Sequence, residues 1–454
     1  MFSKVNKLSR IFNPRNIAVI GATDRPNSVG LGILNNLNAN LGNRKVFYVN
    51  PFQKQVLGQG CFSKITAIKE EVDLAIIAIP ADKVLGAVRE CIKKKVSGII
   101  VISSNFGEAG EEGKVLEKQI QKALQNSEVS LIGPNCLGII NTANNLNASF
   151  APLMPKRGNV ALLSQSGAMI DSILDRATGE NFGFSKIISY GNELNLGLND
   201  FLEFLRNDKE TNIIAVYLEA IKDGSRFLKI AKTLSKIKPI IVIKAGRGEA
   251  GQKAALTHTG SLSTDYQIYK AVFKQAGVIQ VDSIDELLDT VKVLSFCPRC
   301  QNGLGILTNG GGLGVLAVDF CEEFGIKMPA LTRTTIQTLK QESVLRGCNL
   351  TKNPLDILGD ALSSRYEAAL QNLLIQPDIY GALVLQSIQI VTEPMQNARA
   401  IVRVSRHFPN KPVVCCFAGG KLTKEAIEFL EENKIPNYTD PKRAVLAFRN
   451  LIIK

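Results

Sequence analysis

Short runs that are β-branched or aliphatic at nearly every position, each followed by a turn and then a helical pattern, recur along this chain and dictate most of what it can fold into. Residues 17–20, 46–49, 74–79, 99–102 and 131–132 form such runs. A strand that is apolar on both sides must be covered on both faces, the condition of a parallel sheet between two layers of helices. The pattern restarts after Met154-Pro155-Lys156-Arg157-Gly158 with 160–163, 187–188, 213–218 and 240–243. It restarts again after Cys297-Pro298-Arg299-Cys300 with 304–307, 383–385 and 413–417. A length of 454 residues fits that count, since a domain takes roughly 150 residues. The expected fold is α/β, three consecutive doubly wound domains at 1–150, 151–296 and 297–454.

The net charge of +13 favours anionic partners. Basic residues are dispersed, the densest run being Lys93-Lys94-Lys95 on a solvated helix, and the chain has no Trp. Without a basic stripe interleaved with aromatics, a phosphorylated small molecule is expected and nucleic acid is not. The nine cysteines, an odd number, lie mostly inside apolar runs. No signal-peptide pattern opens the sequence and no run approaches the roughly 20 apolar residues of a membrane span. A reducing, cytoplasmic setting with no membrane partner is therefore expected. Cys297 and Cys300 have the spacing of a metal or redox pair, but no second pair or histidine stands nearby. They read as a surface coincidence, and no metal is assigned.

Each domain's first strand runs into a small-residue turn that opens a helix: Gly21-Ala22-Thr23, Ser164-Gln165-Ser166-Gly167 and Asn309-Gly310-Gly311-Gly312. A helix N-terminus leaves amide donors unpaired and carries partial positive charge, so each turn is a candidate anion site. The first, continuing through Asp24-Arg25-Pro26, lies where a doubly wound sheet places a nucleotide. It is not a G-x-G-x-x-G fingerprint, and the second strand ends Val49-Asn50-Pro51 with no acid for a ribose. A nicotinamide oxidoreductase is disfavoured accordingly.

Only two histidines occur. His407, in Arg406-His407-Phe408-Pro409, has the setting of a helix end. His258 lies in a run of small and polar residues, Leu256-Thr257-His258-Thr259-Gly260-Ser261, of the composition of a loop. An imidazole can attack phosphorus at neutral pH, and a carboxylate on its other nitrogen fixes the tautomer and supports the developing charge. Glu219, at the end of the run 213–218, can meet His258 because successive strand ends converge on one edge of such a sheet.

Taken together, these motifs resemble the nucleoside-diphosphate-forming acyl-CoA synthetases, the family of succinyl-CoA synthetase. The resemblance covers nearly the whole chain. It rests on the Gly21 turn, Val49-Asn50-Pro51, Ile79-Pro80-Ala81, Gly133-Pro134-Asn135-Cys136-Leu137-Gly138, Val216-Tyr217-Leu218-Glu219-Ala220, the His258 run, Asn309-Gly310-Gly311-Gly312-Leu313-Gly314 and Asn353-Pro354-Leu355-Asp356. It implies a Rossmann-like coenzyme A-binding domain followed by two flavodoxin-like ligase domains. Thr23, Asp24, Arg25 and Pro26 would lie along the pantetheine and diphosphate, Asn50 and Pro51 near the adenosine, and Ile79, Pro80 and Ala81 at the mouth, with Asn135 and Cys136 toward the substrate. The phosphate would sit at Ser164, Gln165, Ser166 and Gly167 and at Gly310, Gly311 and Gly312, with phosphate carried on His258 and oriented by Glu219. Where the family commonly has Ser-Ala-Gly-Phe, this chain reads Ser103-Ser104-Asn105-Phe106, a change at the acyl pocket.

The implied reaction is acyl-CoA + phosphate + ADP ⇌ acid + CoA + ATP, acetate being the commonest acid. No segment remains unassigned for an ATP-grasp module of roughly 200 residues with metal-binding carboxylates. An ATP-grasp β subunit, in a heterotetramer, is expected to supply it, together with the ATP/ADP and Mg²⁺ site. The rival reading is a coenzyme A-binding sensor or scaffold without ligase activity. An acetyltransferase would need a further domain.

Overall fold

Runs that are apolar on every residue become inner strands. The computed structural model describes residues 4–39, 41–251 and 265–453, and the chain divides into two units, Met1–Leu287 and Leu288–Lys454.

The first unit holds two seven-stranded sheets. One contains β1 (Asn16–Ile20), β2 (Lys45–Val49), β3 (Gln55–Val56), β4 (Gln59–Phe62), β5 (Leu74–Ile77), β6 (Gly98–Val101) and β7 (Ser130–Ile132), in the order β3-β4-β2-β1-β5-β6-β7. All pairings are parallel except the β3–β4 hairpin. The chain steps outward from β1 to β2 and then returns to the other side of β1 for β5. That reversal opens a crevice beyond the carboxyl ends of β1 and β5. Helix Ala81–Lys94 covers the sheet with Val84, Val88 and Cys91, spaced to share one face. It begins with Asp82 and ends with Lys93 and Lys94, matching its dipole, and Lys95 closes it in the left-handed conformation. The basic run is thus a helix terminus, with Lys94 also bonding the Ile68 carbonyl.

The second sheet contains β8 (Gly138–Asn141), β9 (Leu146–Ser149), β10 (Arg157–Ser164), β11 (Phe184–Ser189), β12 (Ile213–Leu218), β13 (Ile240–Lys244) and β14 (Ile279–Val281). Its order is β14-β13-β12-β10-β11-β8-β9. Pairing is parallel as far as β11, and β8 and β9 then extend the edge antiparallel. Residues 138–149 therefore pair with the second sheet rather than the first. Their runs are too short and too mixed with asparagine to read as strands from sequence alone. One hydrophobic core runs from Ile17, Val19 and Ile76 to Leu163, Val216 and Val242, and a second lies on the alternate residues of the first sheet, around Ala18, Ile77 and Leu131.

The second unit contains β15 (Leu304–Thr308), β16 (Leu355–Asp356), β17 (Gly381–Ser387) and β18 (Val413–Ala418), in the all-parallel order β16-β15-β17-β18. Its faces pack into two cores, one around Leu307, Leu370 and Ile401 and the other around Ile306, Cys416 and Phe448. The two-residue β16 is absent from the sequence reading because it is too short to show a period. Helix Ile284–Phe296 is bound within this unit through a two-pronged Asp289–Arg443 pair at 2.8 Å. Lys292 adds a 2.9 Å bond to Glu431.

Cys297 and Cys300 are not the surface pair expected. Cys300 is buried, and burial pushes its thiol up to about 12 and that of Cys297 further up. Among the described residues no group of three His, Cys, Asp or Glu side chains is arranged to hold a metal. No described helix is long and apolar enough to cross a membrane.

A buried ion pair reinforces β11: Lys186 meets Asp208 at 2.6 Å, their side chains only 4% and 13% exposed. Thr211 and Lys238 bond the same Asp208 segment. Removing one partner of such a pair strands the other charge. Lys186→Met is expected to lower the unfolding free energy by about 3 kcal/mol, measured by urea denaturation. An unchanged midpoint would contradict this account of β11.

Candidate active site

A cleft opens on the β5 side of the switch point. Beyond β5, β6 and β7 lies a cleft of about 680 Å³, walled by Ile79, Pro80 and Ala81, by Ser103, Ser104 and Asn105, and by Asn135, Cys136 and Leu137. Its other wall belongs to the second sheet, from Gln165, Ser166 and Gly167 to Asp171. The two walls are fastened at their base. Leu196 N–H donates to Leu131 O at 3.0 Å, Leu194 to Gly133 at 3.1 Å and Asn192 to Pro134 at 3.0 Å. The Asn192 side chain donates to Glu108 and Glu117 and accepts from Asn135.

The turn after β1 stands beside this cleft. Gly21 has φ +95°, and a Cβ there would lie 2.3 Å from the Ala78 carbonyl, so only glycine lets β1 approach β5 this closely. A Cβ on Gly30 would in turn meet the Gly21 carbonyl at 2.6 Å. The turn is therefore pressed against the start of helix Val29–Ala39. Thr23 Oγ1 accepts from Arg25 N–H and Ser28 Oγ from Leu31 N–H, holding the turn in shape. Asp24, Arg25 and Pro26 are exposed. Asn50 is tied to this turn. Its amide donates to Ala22 O at 2.8 Å and its oxygen accepts from Phe52 N–H, so it braces the turn, while Phe52 beyond Pro51 is 94% exposed. The residues that form the cleft are thus Ile79, Pro80, Ala81, Asn135, Cys136, Gln165, Ser166 and Gly167. Gly21, Thr23, Asp24, Arg25, Pro26, Asn50 and Pro51 form the adjoining turn. This set fits coenzyme A: an exposed guanidinium and a helix N-terminus for its phosphates, and a long half-apolar cleft for its arm.

Cys136 is 4% exposed, its thiol donates to Val101 O at 3.3 Å, and burial pushes it up to about 12. A thiol held neutral is a poor nucleophile. Native protein at pH 8 is expected to leave Cys136 unmodified by iodoacetamide while urea-unfolded protein alkylates it, read by peptide mass spectrometry. Rapid native labelling would contradict its burial.

At the end of β10 the side chains turn inward. Ser164 Oγ donates to Ser166 O at 2.7 Å and accepts from Ser166 N–H at 3.0 Å. Ser166 Oγ caps helix Gly167–Ala177 through Met169 N–H. Gln165 Oε1 accepts from Glu219 N–H at 2.6 Å and Ala220 N–H at 2.9 Å, and its Nε2 donates to Ala220 O at 3.1 Å. Gln165 therefore clasps the backbone that carries Glu219, and what the turn offers an anion is the opening amides of the helix. Glu219 is 8% exposed just beyond β12. Its charge is felt nearby: burial first and Glu219 second push the Tyr217 hydroxyl up to about 12. Burial lowers the Lys244 ammonium and Glu219 partly restores it. His258 lies outside the described residues, whereas His407 is exposed at the end of helix Pro394–His407.

The second unit repeats the device. Thr308 Oγ1 donates to Gly310 O at 2.8 Å and accepts from Gly310 N–H at 3.0 Å. Asn309 clasps the end of β17, accepting from Ser387 N–H at 2.7 Å and donating to Ser387 O at 3.1 Å. Helix Gly311–Glu323 opens there, with Gly310 as its cap and Gly311 and Gly312 in its first turn. Hydroxyl, carboxamide, small residue and glycine occupy equivalent positions in Ser164-Gln165-Ser166-Gly167 and Thr308-Asn309-Gly310-Gly311. The repeat was not read from sequence, although that order of residue types was its signal. Asp171 lines the cleft although it belongs to no motif.

Comparison with known proteins agrees with this geometry. Family models described as a CoA binding domain, a succinyl-CoA ligase like flavodoxin domain and a ligase-CoA domain match residues 15–142, 157–294 and 304–449. The chain is 40% identical to acetate–CoA ligase (ADP-forming) II subunit alpha of Pyrococcus furiosus, the match covering 98% of this chain and 97% of that one. The chain belongs to the ADP-forming acetate–CoA ligase family. Among solved structures of the family, acetyl-coenzyme A synthetase 1 of Ca. Korarchaeum cryptofilum, in complex with phosphate and ADP, is 37% identical with a TM-score of 0.92. That match covers 98% of this chain and 96% of that one. The acetate–CoA ligase (ADP-forming) I of Archaeoglobus fulgidus is 41% identical across 97% of this chain, but the chain spans only 62% of its length. The three-domain α/β expectation is borne out by these matches.

Proposed function

We propose that this chain is the coenzyme A-side subunit of an ADP-forming acyl-CoA synthetase, interconverting acyl-CoA, phosphate and ADP with acid, CoA and ATP. The observation that carries the reading is the Gln165 clasp. It fixes Glu219 at the strand end, beside the helix N-terminus at Ser166, where the wall of the cleft begins. A carboxylate so held suits the orientation of an imidazole, and the helix amides suit a phosphoryl group.

In this reading the turn at Thr23, Asp24, Arg25 and Pro26 holds the phosphates of coenzyme A. Its arm follows the cleft past Pro80 and Asn135 toward Gln165. Phosphate displaces the acyl thioester, giving an acyl phosphate and free thiol. His258 then takes the phosphoryl group, releasing the acid, with Glu219 supporting the imidazolium. The helix start at Gly310, Gly311 and Gly312 offers an anion opening amides of the same kind.

The nucleotide is assigned to a partner. The Pyrococcus furiosus relative carries the designation subunit alpha, and the Archaeoglobus relative is longer than this chain. An ATP-grasp β subunit in a heterotetramer, binding ADP or ATP with Mg²⁺, completes the cycle. The acid is a small carboxylate, acetate first, and the enzyme works in the cytoplasm.

The test is to incubate the chain with acetyl-CoA, or a panel of acyl-CoAs, and labelled phosphate, with and without the partner. Acid-labile, base-stable label is expected on wild type and not on His258→Asn. Glu219→Gln is expected to slow its appearance by about a hundredfold, the scale of a lost acid–base partner. No label on wild type that binds coenzyme A would sink the ligase reading and leave a sensor.

A further inference from the structure

Asp171 lies one turn into helix Gly167–Ala177 and lines the same cleft. Its carboxylate makes no hydrogen bond or ion pair with any described residue, and its Oδ1 is shut away from solvent without a partner. Burial pushes the carboxyl up from its usual range. The other polar side chains of this wall are occupied: Gln165 by the Glu219 and Ala220 backbone and Ser166 by its helix. Across the cleft, Ser103 is tied to Ile79 and Asn135 to Asn192. The other oxygen is open to the cleft; a carboxylate with one oxygen enclosed and unpaired is poorly solvated, and a ligand that donates to its open oxygen offsets part of that cost.

We propose that Asp171 is a cofactor-positioning residue that accepts a hydrogen bond from the pantetheine arm of coenzyme A. The inference rests on the coenzyme A reading of the cleft. Charge selects the arm. Phosphate, the acid and the cofactor's phosphates are anions that a carboxylate repels. The arm is neutral and carries two amide N–H groups and a hydroxyl, the donors this acceptor lacks. Its place also fits, one helical turn from the Ser166 end where the thioester reacts and on the wall along which the arm must pass.

The experiment is calorimetric titration of the full chain, wild type, Asp171→Asn and Asp171→Ala, with desulfo-coenzyme A and with adenosine 3′,5′-bisphosphate, which lacks the arm. Asp171→Ala is expected to weaken desulfo-coenzyme A roughly tenfold, the scale of one charge-assisted hydrogen bond, and to leave the bisphosphate unchanged. Asp171→Asn keeps an oxygen acceptor and is expected to recover most of the loss. Unchanged desulfo-coenzyme A binding, or parallel weakening of both ligands, would overturn the proposal. So would a loss seen only in the KM for the acid, which would place Asp171 at the acyl group. Wild type that binds neither ligand would instead remove the coenzyme A reading itself.

Discussion

The site depends on the crossing at residues 131–138, where the chain leaves the first sheet and enters the second. Backbone bonds from Asn192, Leu194 and Leu196 to Pro134, Gly133 and Leu131 zip the two sheets together along this crossing. Because β7 and β8 belong to different sheets yet are only five residues apart, the walls of the cleft are covalent neighbours. A cleft so built needs no hinge to keep its width. Preorganised walls of this kind reduce what a flexible cofactor arm must lose on binding.

A second economy is the repeated turn. In both ligase-type sheets a hydroxyl ties the loop to itself and a carboxamide fastens the neighbouring strand, while the helix starts on a small residue. The polar side chains are spent on shape, which leaves backbone amides facing outward. Such amides cannot titrate and hold their direction without side-chain entropy, properties that suit an anion arriving and leaving many times. Only the first of the two turns has a carboxylate at the strand end it clasps. Glu219 has Ser387 as its counterpart.

Much of this was legible in the sequence. Inner strands such as Leu74–Ile77 are apolar throughout, and the turns at Gly21, Ser164 and Gly310 end strands where a doubly wound fold must open its crevice. Glu219 could be picked out because its strand end and its motif agree. The backbone partners of Asn50 and Gln165 were not legible, since an amide side chain near a turn can bond any of several neighbouring strands. Asp171 was hidden for a different reason. Only the rotation of its helix against Leu137, where a Cβ on Gly167 would come within 3.2 Å, decides that it faces the cleft. Residues 138–149 joined the second sheet through antiparallel pairing that no local pattern announces.

The central claim is that coenzyme A lies across the switch point of the first sheet with its thiol directed at the second. A crystal structure of the chain with bound coenzyme A tests it most directly. The account predicts diphosphate density at the turn of Thr23 and Arg25 and the sulfur in the cleft between Pro80 and Gln165. A cofactor bound elsewhere, or with its thiol pointing away from the Ser166 helix, would contradict it.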